Sequence, residues 1–437
     1  MTDTISAISS PFGEGAIGVL RLSGPQSHSI LTRLFSGKLA KARELSHGRL
    51  EKDGTMLDDV LATKFDAPRS YTGEDMAEIF CHGGLLVTRR ILDALLEEGA
   101  RLAEPGEFSF RAFSNGKMDL TQAEAVMDVI HAQTDLALRA SQQQLAGRLG
   151  HAMDALRTSL LQILAHLEAY IDFPDEDIDP DTGQSFLTRI ETVSTEIAKL
   201  LATADRGRIL REGVRTVIYG EPNVGKSSLL NALSGFDRAI VSPTPGTTRD
   251  VIEESVNIGG IRLILMDTAG IRDTSDEIEK QGVARSQKAH DEADLIIEVH
   301  AANLPLPSNS NVSKNTLLVA NKADLGVHPS WTDHAVLVSC LQETGFDDLE
   351  AAILQKVFGG GAQLDNASAA INARHKNCLQ RAQSGCIAAM TGLRENLAIE
   401  LISIELHSAL DAIGEVMGKV ESDDILGEIF STFCIGK

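Results

Sequence analysis

No stretch of the sequence approaches the ~18 uncharged apolar residues that a membrane-spanning helix needs, although hydrophobic residues make up 43% of the chain. The opening MTDTISAISS has neither the basic region nor the apolar core of a secretory signal, so a cytoplasmic protein with no membrane association is expected. Cysteine is sparse: five residues, at 81, 340, 378, 386 and 434, form an odd set without a C-x-x-C pair. That excludes a disulfide framework and a zinc knuckle and leaves reduced thiols as the default. Positive charge is short as well, with 40 Lys and Arg against 62 Asp and Glu and a net charge of −22. A protein that coats nucleic acid non-specifically needs clustered cations, so that class is excluded. The deficit is uneven, since residues 1–118 are nearly neutral. A polyanion would have to draw its positive field from that segment or from a partner.

What is present divides the chain. At 437 residues there is room for two to four domains. Residues 1–118 read as short alternating runs, AIGVLRLSG, DDVLATKF and MAEIFCHGG, with one helix-like span, LLVTRRILDALLEEG. This predicts an α+β domain. Residues 119–211 carry apolar residues at three- and four-residue spacing with hardly a Gly or Pro inside, which predicts long amphipathic helices. Within them, DFPDEDIDPDTG resembles a calcium loop, but Pro180 and Phe186 stand where such a loop requires Gly and Glu, so it reads as a solvated loop. From residue 212, VRTVIYG, IRLILMD, DLIIEVH and TLLVANK alternate with helices, the pattern of a mostly parallel sheet with crossover helices. A Gly-rich hinge closes that block by residue 371, and 372–437 is helical again. Helices on both sides of an α/β block predict one all-α domain, 119–211 with 372–437, into which 212–371 is inserted.

The inserted block holds the densest chemistry. GEPNVGKSS at 220–228 satisfies G-x-x-x-x-G-K-S between a predicted strand and a predicted helix. Its glycines let backbone N–H groups approach phosphate oxygens, Lys226 reaches the outer phosphates, and Ser227 supplies a magnesium ligand. DTAG at 267–270 ends a strand and puts Asp267 near that metal. NKAD at 321–324 ends another, and an Asn and an Asp at that spacing can accept from the N1–H and 2-amino group of guanine, so the nucleotide is expected to be GTP. GTTRD at 246–250 reads as a switch loop whose Thr248 reaches magnesium when a γ-phosphate is present. VSCLQ at 338–342 stands where a further guanine-contacting loop belongs, in degenerate form. One residue is missing: Ile271 occupies the place directly after DTAG where Ras-like enzymes carry a water-orienting Gln. Spacing does not say which acid of IRDTSDEIEK takes over.

These motifs, with GEGAIGVLRLSG, YTGED, CHGG, PGEFSFRAFSNGKMDLTQAEA, DTAGIRD and the terminal FCIGK, resemble the MnmE (TrmE) family of tRNA modification GTPases, among the TrmE-Era-EngA-EngB-Septin-like proteins. The resemblance covers essentially the whole chain. It implies an N-terminal folate-binding domain that also makes a homodimer, a helical domain split by the GTPase domain, and a C-terminal C-[IL]-G-K motif. For GTP it implies Asn223, Val224, Gly225, Lys226, Ser227 and Ser228, the loop Ser242, Pro243, Thr244, Pro245, Gly246, Thr247 and Thr248, then Asp267, Thr268, Ala269 and Gly270, and finally Asn321, Lys322 and Asp324. Potassium is implied at Asn223, Ser242, Thr244 and Thr247, and Glu279 is implied as the acid that orients water. A 5-formyl-tetrahydrofolate or related cofactor is implied at Arg21, Glu78, Lys117 and Lys437. Cys434, a free thiol near Lys437, becomes a candidate for thiolate chemistry on uridine, while His82 of CHGG reads as a turn histidine with its own partner. An MnmG (GidA)-type flavoprotein carrying FAD and using NADH is the implied partner, and the wobble uridine of tRNA the implied target. A ribosome-assembly GTPase of the Era or Der kind is the competing reading, but it calls for a basic RNA-binding appendage that this acidic chain does not have.

Overall fold

The computed structural model describes residues 2–172, 182–236, 254–266, 292–307, 315–331, 334–359, 371–420 and 423–437. The chain forms two compact units: residues 1–127, 150–161 and 407–437 make one, and 128–149 with 162–406 make the other. Most of the acidic loop lies outside the described residues.

The first unit is built on a seven-stranded sheet in the order β3-β4-β5-β6-β2-β1-β7, with β1 Ile5–Ile8, β2 Ile17–Ser23, β3 Phe35–Ser36, β4 Ser46–Lys52, β5 Thr55–Phe65, β6 Met76–His82 and β7 Arg101–Leu102. β2 and β6 run antiparallel with Leu20 opposite Ile79 and Arg21 opposite Glu78. Strand alternation therefore sends Leu20, Leu22, Ala77, Ile79 and Cys81 into one buried face and leaves Arg21 and Glu78 together on the other. Helices α1 Ser27–Leu34 and α2 Leu85–Glu97 cover the apolar face with Ile30, Leu31, Ile91 and Leu95, all fully buried. Each such side chain contributes about 1.5–3 kcal/mol by leaving water. The three alternating runs and the α2 span form as the pattern predicts. The eight-residue helices α1 and α3 Glu107–Ser114 do not follow from pattern, because two turns carry too few repeats for a period to show.

Arg111 on α3 is 0% exposed, yet its guanidinium is supplied with carboxylates. It donates to Asp3 at 2.8 Å, Glu107 at 2.9 Å and Glu74 at 3.1 Å. Arg101 reaches the same Asp3 and Glu107. Hydrogen bonding from Arg101 holds the Asp3 carboxyl below its ordinary range. Burial pushes Glu107 upward, but hydrogen bonds from Arg101, the Glu104 amide and Arg111 outweigh it and bring the carboxyl down.

In the second unit the sheet order is β13-β12-β11-β8-β10-β9, parallel except where β10 Ile261–Met266 meets β9 Glu254–Ile258. The central strands are β8 Val214–Tyr219, β11 Leu295–Ala301 and β12 Thr316–Asn321, with β13 Val336–Leu337 at the edge. β11 is buried at every position, as expected for a strand covered on both faces. The helical span after residue 119 is not one rod but Leu120–His131, Asp135–Leu145 and Arg148–Asp172. Thr134 caps the second helix by accepting from the Ala137 amide. Helices Thr182–Leu201 and Ala373–Arg394 pack on each other within this unit. Among the described residues no helix is long and apolar enough to cross a membrane.

Replacing Arg111 by Ala removes the buried cation that Asp3, Glu74 and Glu107 share and leaves Arg101 to Asp3 and Glu107 alone, and a loss of about 3–5 kcal/mol is expected, read as faster amide exchange in Ile5–Ile8 and Glu107–Ser114. Both Asp3 and Glu107 bind protons more weakly folded than unfolded. Their contribution is thus complete above pH ~4.5 and disappears as the pH falls through and below the ordinary carboxylate range. Protection of the same two elements at pH 3 that equals protection at pH 6 would contradict this.

Candidate functional site

The strand β8 ends at Tyr219, and the chain turns through 220–225 into a helix that begins at Lys226 and ends at Phe236. The turn is tight enough to need left-handed backbone at Asn223 (φ 64°) and Gly225 (φ 101°). Lys226 folds its ammonium back across the loop, donating to the carbonyls of Gly220 and Glu221, both at 2.9 Å. Burial lowers its pKa. Ser227 and Ser228 lie exposed in the first helical turn, where backbone N–H groups and the helix dipole favour an anion. Loop, ammonium and helix start together make a cradle for phosphate.

Asn321, the last residue of β12, ties this cradle to the base-reading side. Its Nδ2 donates to the Val224 carbonyl at 2.9 Å, and its Oδ1 accepts from the Cys340 amide at 3.2 Å. Lys322 adds a second tie, donating to the Asn223 carbonyl at 2.7 Å. The Asp324 carboxylate accepts from Ser339 Oγ at 2.6 Å, and Ser339 Oγ accepts in turn from the Gln342 amide at 3.1 Å. Asn321 is therefore a strut between two loops, and Asp324 is held in place by Ser339. Ser339 was not singled out by sequence; its signal lay in the degenerate VSCLQ run, whose first residues fix Asp324 and whose Cys340 amide fixes Asn321. Ser242, Pro243, Thr244, Pro245, Gly246, Thr247, Thr248, Asp267, Thr268, Ala269, Gly270 and Glu279 lie outside the described residues.

A second constellation forms in the other unit. Helix Asp423–Ser431 delivers Phe430 and Phe433 into a cluster with Phe110 and Phe113, with ring centroids 5.3 Å apart for Phe110 and Phe430 and 5.2 Å for Phe430 and Phe433. Past that anchor the tail is held by its backbone. The Gly436 carbonyl accepts from Ser9 Oγ at 3.1 Å and the Lys437 carbonyl from the Phe108 amide at 3.2 Å. Gly436 takes φ 92°, and a Cβ there would stand 2.6 Å from the Ile8 carbonyl. The ordered tail brings the Lys437 ammonium within electrostatic range of Arg21, Glu78 and Cys434. Its ammonium pKa is lowered by burial and by the Arg21 charge, with Cys434 and Glu78 pulling the other way. Arg21 Nε donates to Glu78 Oε1 at 2.8 Å, and its guanidinium lies 5.6 Å from the centroid of the Tyr71 ring, whose hydroxyl meets Ser109 Oγ at 2.8 Å. Tyr71 is a further residue that sequence reasoning missed, because nothing in YTGED ties an aromatic to a strand arginine.

Lys117 is placed differently from its companions. Its ammonium donates to the Pro68 carbonyl at 3.1 Å and so braces the 66–75 loop that carries Tyr71. Cys434 is exposed while Cys81 is buried, and burial pushes the Cys81 thiol up to about 11, which makes it inert beside Cys434. His82 has its partner: Nδ1 lies 2.8 Å from Asp58 Oδ1, and its amide donates to Asp58 Oδ2 at 2.8 Å.

Gly225→Ala is expected to weaken binding of a fluorescent guanine nucleotide at least tenfold, since its Cβ would stand 2.1 Å from Asn321 Nδ2 in backbone that L-residues avoid. Gly235→Ala, which meets nothing within 4 Å, leaves binding unchanged. Equal affinities for the two variants would show that the strut does not shape the cradle.

A family model described as MnmE helical domain matches residues 120–434, and one described as GTP-binding protein TrmE N-terminus matches residues 4–117. A tRNA modification GTPase MnmE of Akkermansia muciniphila is 48% identical, with 100% of each chain covered. Those of Geobacter sulfurreducens and Acetivibrio thermocellus are 45% and 40% identical, each covering 100% of this chain and 99% of their own. The chain belongs to the MnmE (TrmE) family of tRNA modification GTPases.

Proposed function

We propose that this protein hydrolyses GTP and uses the cycle to drive modification of the wobble uridine of certain tRNAs in the cytoplasm. Residues 212–371 serve as the GTPase domain, 119–211 with 372–437 as the helical domain, and 1–118 as the folate-binding and dimerising domain. The observation that carries this reading is the pairing of two constellations in one chain. A phosphate cradle is strutted to a guanine-reading loop by Asn321, and a cationic and carboxylate cluster, Arg21, Glu78 and Lys437, is assembled by an ordered tail.

In hydrolysis, the loop amides and Lys226 neutralise charge on the phosphates, and they do so from fixed positions that need no reorganisation. Asp324 accepts from the guanine edge; adenine presents the opposite donor and acceptor pattern and is rejected. Ser227 and Thr248 would hold magnesium, and Asn223, Ser242, Thr244 and Thr247 potassium; these cations supply positive charge near the transferring phosphoryl group. The exposed Ser227 at the helix start suits such a ligand. With Ile271 unable to orient water, Glu279 takes that task. Two GTPase domains meet across their switch loops in the active homodimer.

At the second constellation, Glu78 suits the N–H groups of a pterin and Lys437 the anionic tail of a folate, while the Tyr71 ring offers a flat apolar surface beside Arg21. Folate there would supply the one-carbon unit. Cys434 is exposed next to Lys437, and its thiolate is the group that adds to the pyrimidine. An MnmG-type flavoprotein brings FAD and NADH and holds much of the tRNA, which fits a chain of net charge −22.

GTP turnover is expected to be faster in potassium than in sodium and to rise with protein concentration as domains pair. Equal rates in the two salts would remove the cation-assisted, dimer-activated mechanism. Cys434→Ser is expected to abolish tRNA modification while GTP turnover persists; full modification by this variant would take Cys434 out of the chemistry.

A further inference from the structure

One side-chain cluster in the first unit takes no part in either constellation. His28 on α1, Asp66 directly after β5 and Asp75 directly before β6 each present one ligand atom, and these atoms lie within 4.8 Å of one another. The hydrogen-bond partners of His28 fix its tautomer. Nε2 lies 3.2 Å from the Phe65 carbonyl and 3.1 Å from the Met76 carbonyl, and those two residues are register partners at the end of the β5/β6 ladder. A carbonyl only accepts, so the ring hydrogen is on Nε2 and the lone pair of the neutral imidazole is on Nδ1.

That lone pair faces carboxylate. Nδ1 lies 3.9 Å from Asp66 Oδ1. Asp75 is held in place, since its Oδ1 accepts from the Ala67 amide at 2.9 Å. With the ring neutral, three Lewis bases thus converge with no hydrogen between them, an arrangement that is repulsive until a cation enters. A histidine that donates its far N–H to backbone carbonyl and turns its near nitrogen toward carboxylates has the outer-shell support that metal-ligating histidines use.

We propose that His28, Asp66 and Asp75 form a binding site for a divalent transition metal of the zinc or manganese class. One imidazole and two carboxylates suit such ions, and the set has no thiolate to select a softer one. Ligand distances of about 2.0–2.2 Å set three donors about 3.4 Å apart around a tetrahedral ion, so from within 4.8 Å of one another they draw in by up to about 1.4 Å, with the exposed Asp66 side chain the readiest to move. Water completes the coordination. The ion joins both ends of the 66–75 loop to α1. That loop carries Tyr71, which lies against Arg21, and the Pro68 carbonyl that receives Lys117. The site therefore acts as a clasp on one wall of the Arg21, Glu78 and Lys437 constellation.

The test is calorimetric titration of Zn²⁺ into the metal-free, nucleotide-free full chain at pH 7.5, in a Cys434→Ser background that removes the exposed thiol. The parent is expected to bind one more ion per chain than the same protein carrying Asp66→Asn, or to bind that ion at least tenfold more tightly, with equal circular dichroism for the two. Nitrogen NMR of His28 supplies a second readout, since Nδ1 should shift on Zn²⁺ addition while Nε2 keeps its hydrogen. Identical stoichiometry and affinity in the two proteins would overturn the proposal. So would a His28 ring already carrying hydrogen on both nitrogens at pH 7.5, which would make the cluster a plain ion pair.

Discussion

The second constellation depends on the closure of a very long loop. The hydrogen bond from Ser9 to the Gly436 carbonyl spans 427 positions of sequence, and the aromatic cluster of Phe110, Phe113, Phe430 and Phe433 holds the returning segment in place. Entropy opposes such a closure only logarithmically with length, so a few buried rings and backbone bonds suffice once the intervening chain has folded by itself. An insertion of that size is tolerated for this reason. It also explains why the tail, which in most chains frays, delivers a half-buried lysine to a strand arginine and its glutamate partner.

The two constellations use different means to fix their charged groups. In the GTPase domain, parallel strands end side by side, so residues distant in sequence, 220–226, 321–324 and 338–342, meet at one edge of the sheet. Short bonds from carboxamide, hydroxyl and ammonium groups then set the loops relative to one another. In the first unit the pleat does the work: Arg21 and Glu78 are direct cross-strand partners on the face opposite the helices. Their alignment follows from the register that buries Leu20, Leu22, Ala77 and Ile79. Slipping that register by one residue would bury the charged pair and expose the apolar row, which is how the core protects the site's geometry.

The readable parts of this chain were those whose physics is local. G-x-x-x-x-G-K-S dictates its own turn, the apolar runs of β8, β11 and β12 identify covered strands, and the alternation in β2 and β6 survives in the sheet. Legibility failed where a side chain's task depends on a distant element. Asn321 reads from its motif as a base contact, and nothing in the motif announces that its carboxamide also ties Val224 to Cys340. Ser339 gains its role only when β13 brings it to Asp324. The pair Glu298 and His300, 2.9 Å apart and buried within β11, sits inside DLIIEVH, where alternation alone would have sent both outward. His28 is similar: nothing in SHSILTRL announces that its ring closes the β5/β6 ladder.

A consequence of the Asn321 strut concerns how the halves of a nucleotide are sensed. One carboxamide braces both the phosphate loop and the loop that positions Asp324, so neither can relax without disturbing the other. Guanosine and pyrophosphate, offered as separate molecules, each meet a pocket whose other half is unfilled and loosely braced. Their binding free energies should fall short of that for the joined molecule by more than the entropy of linking them, a cooperativity that resides in a single amide group.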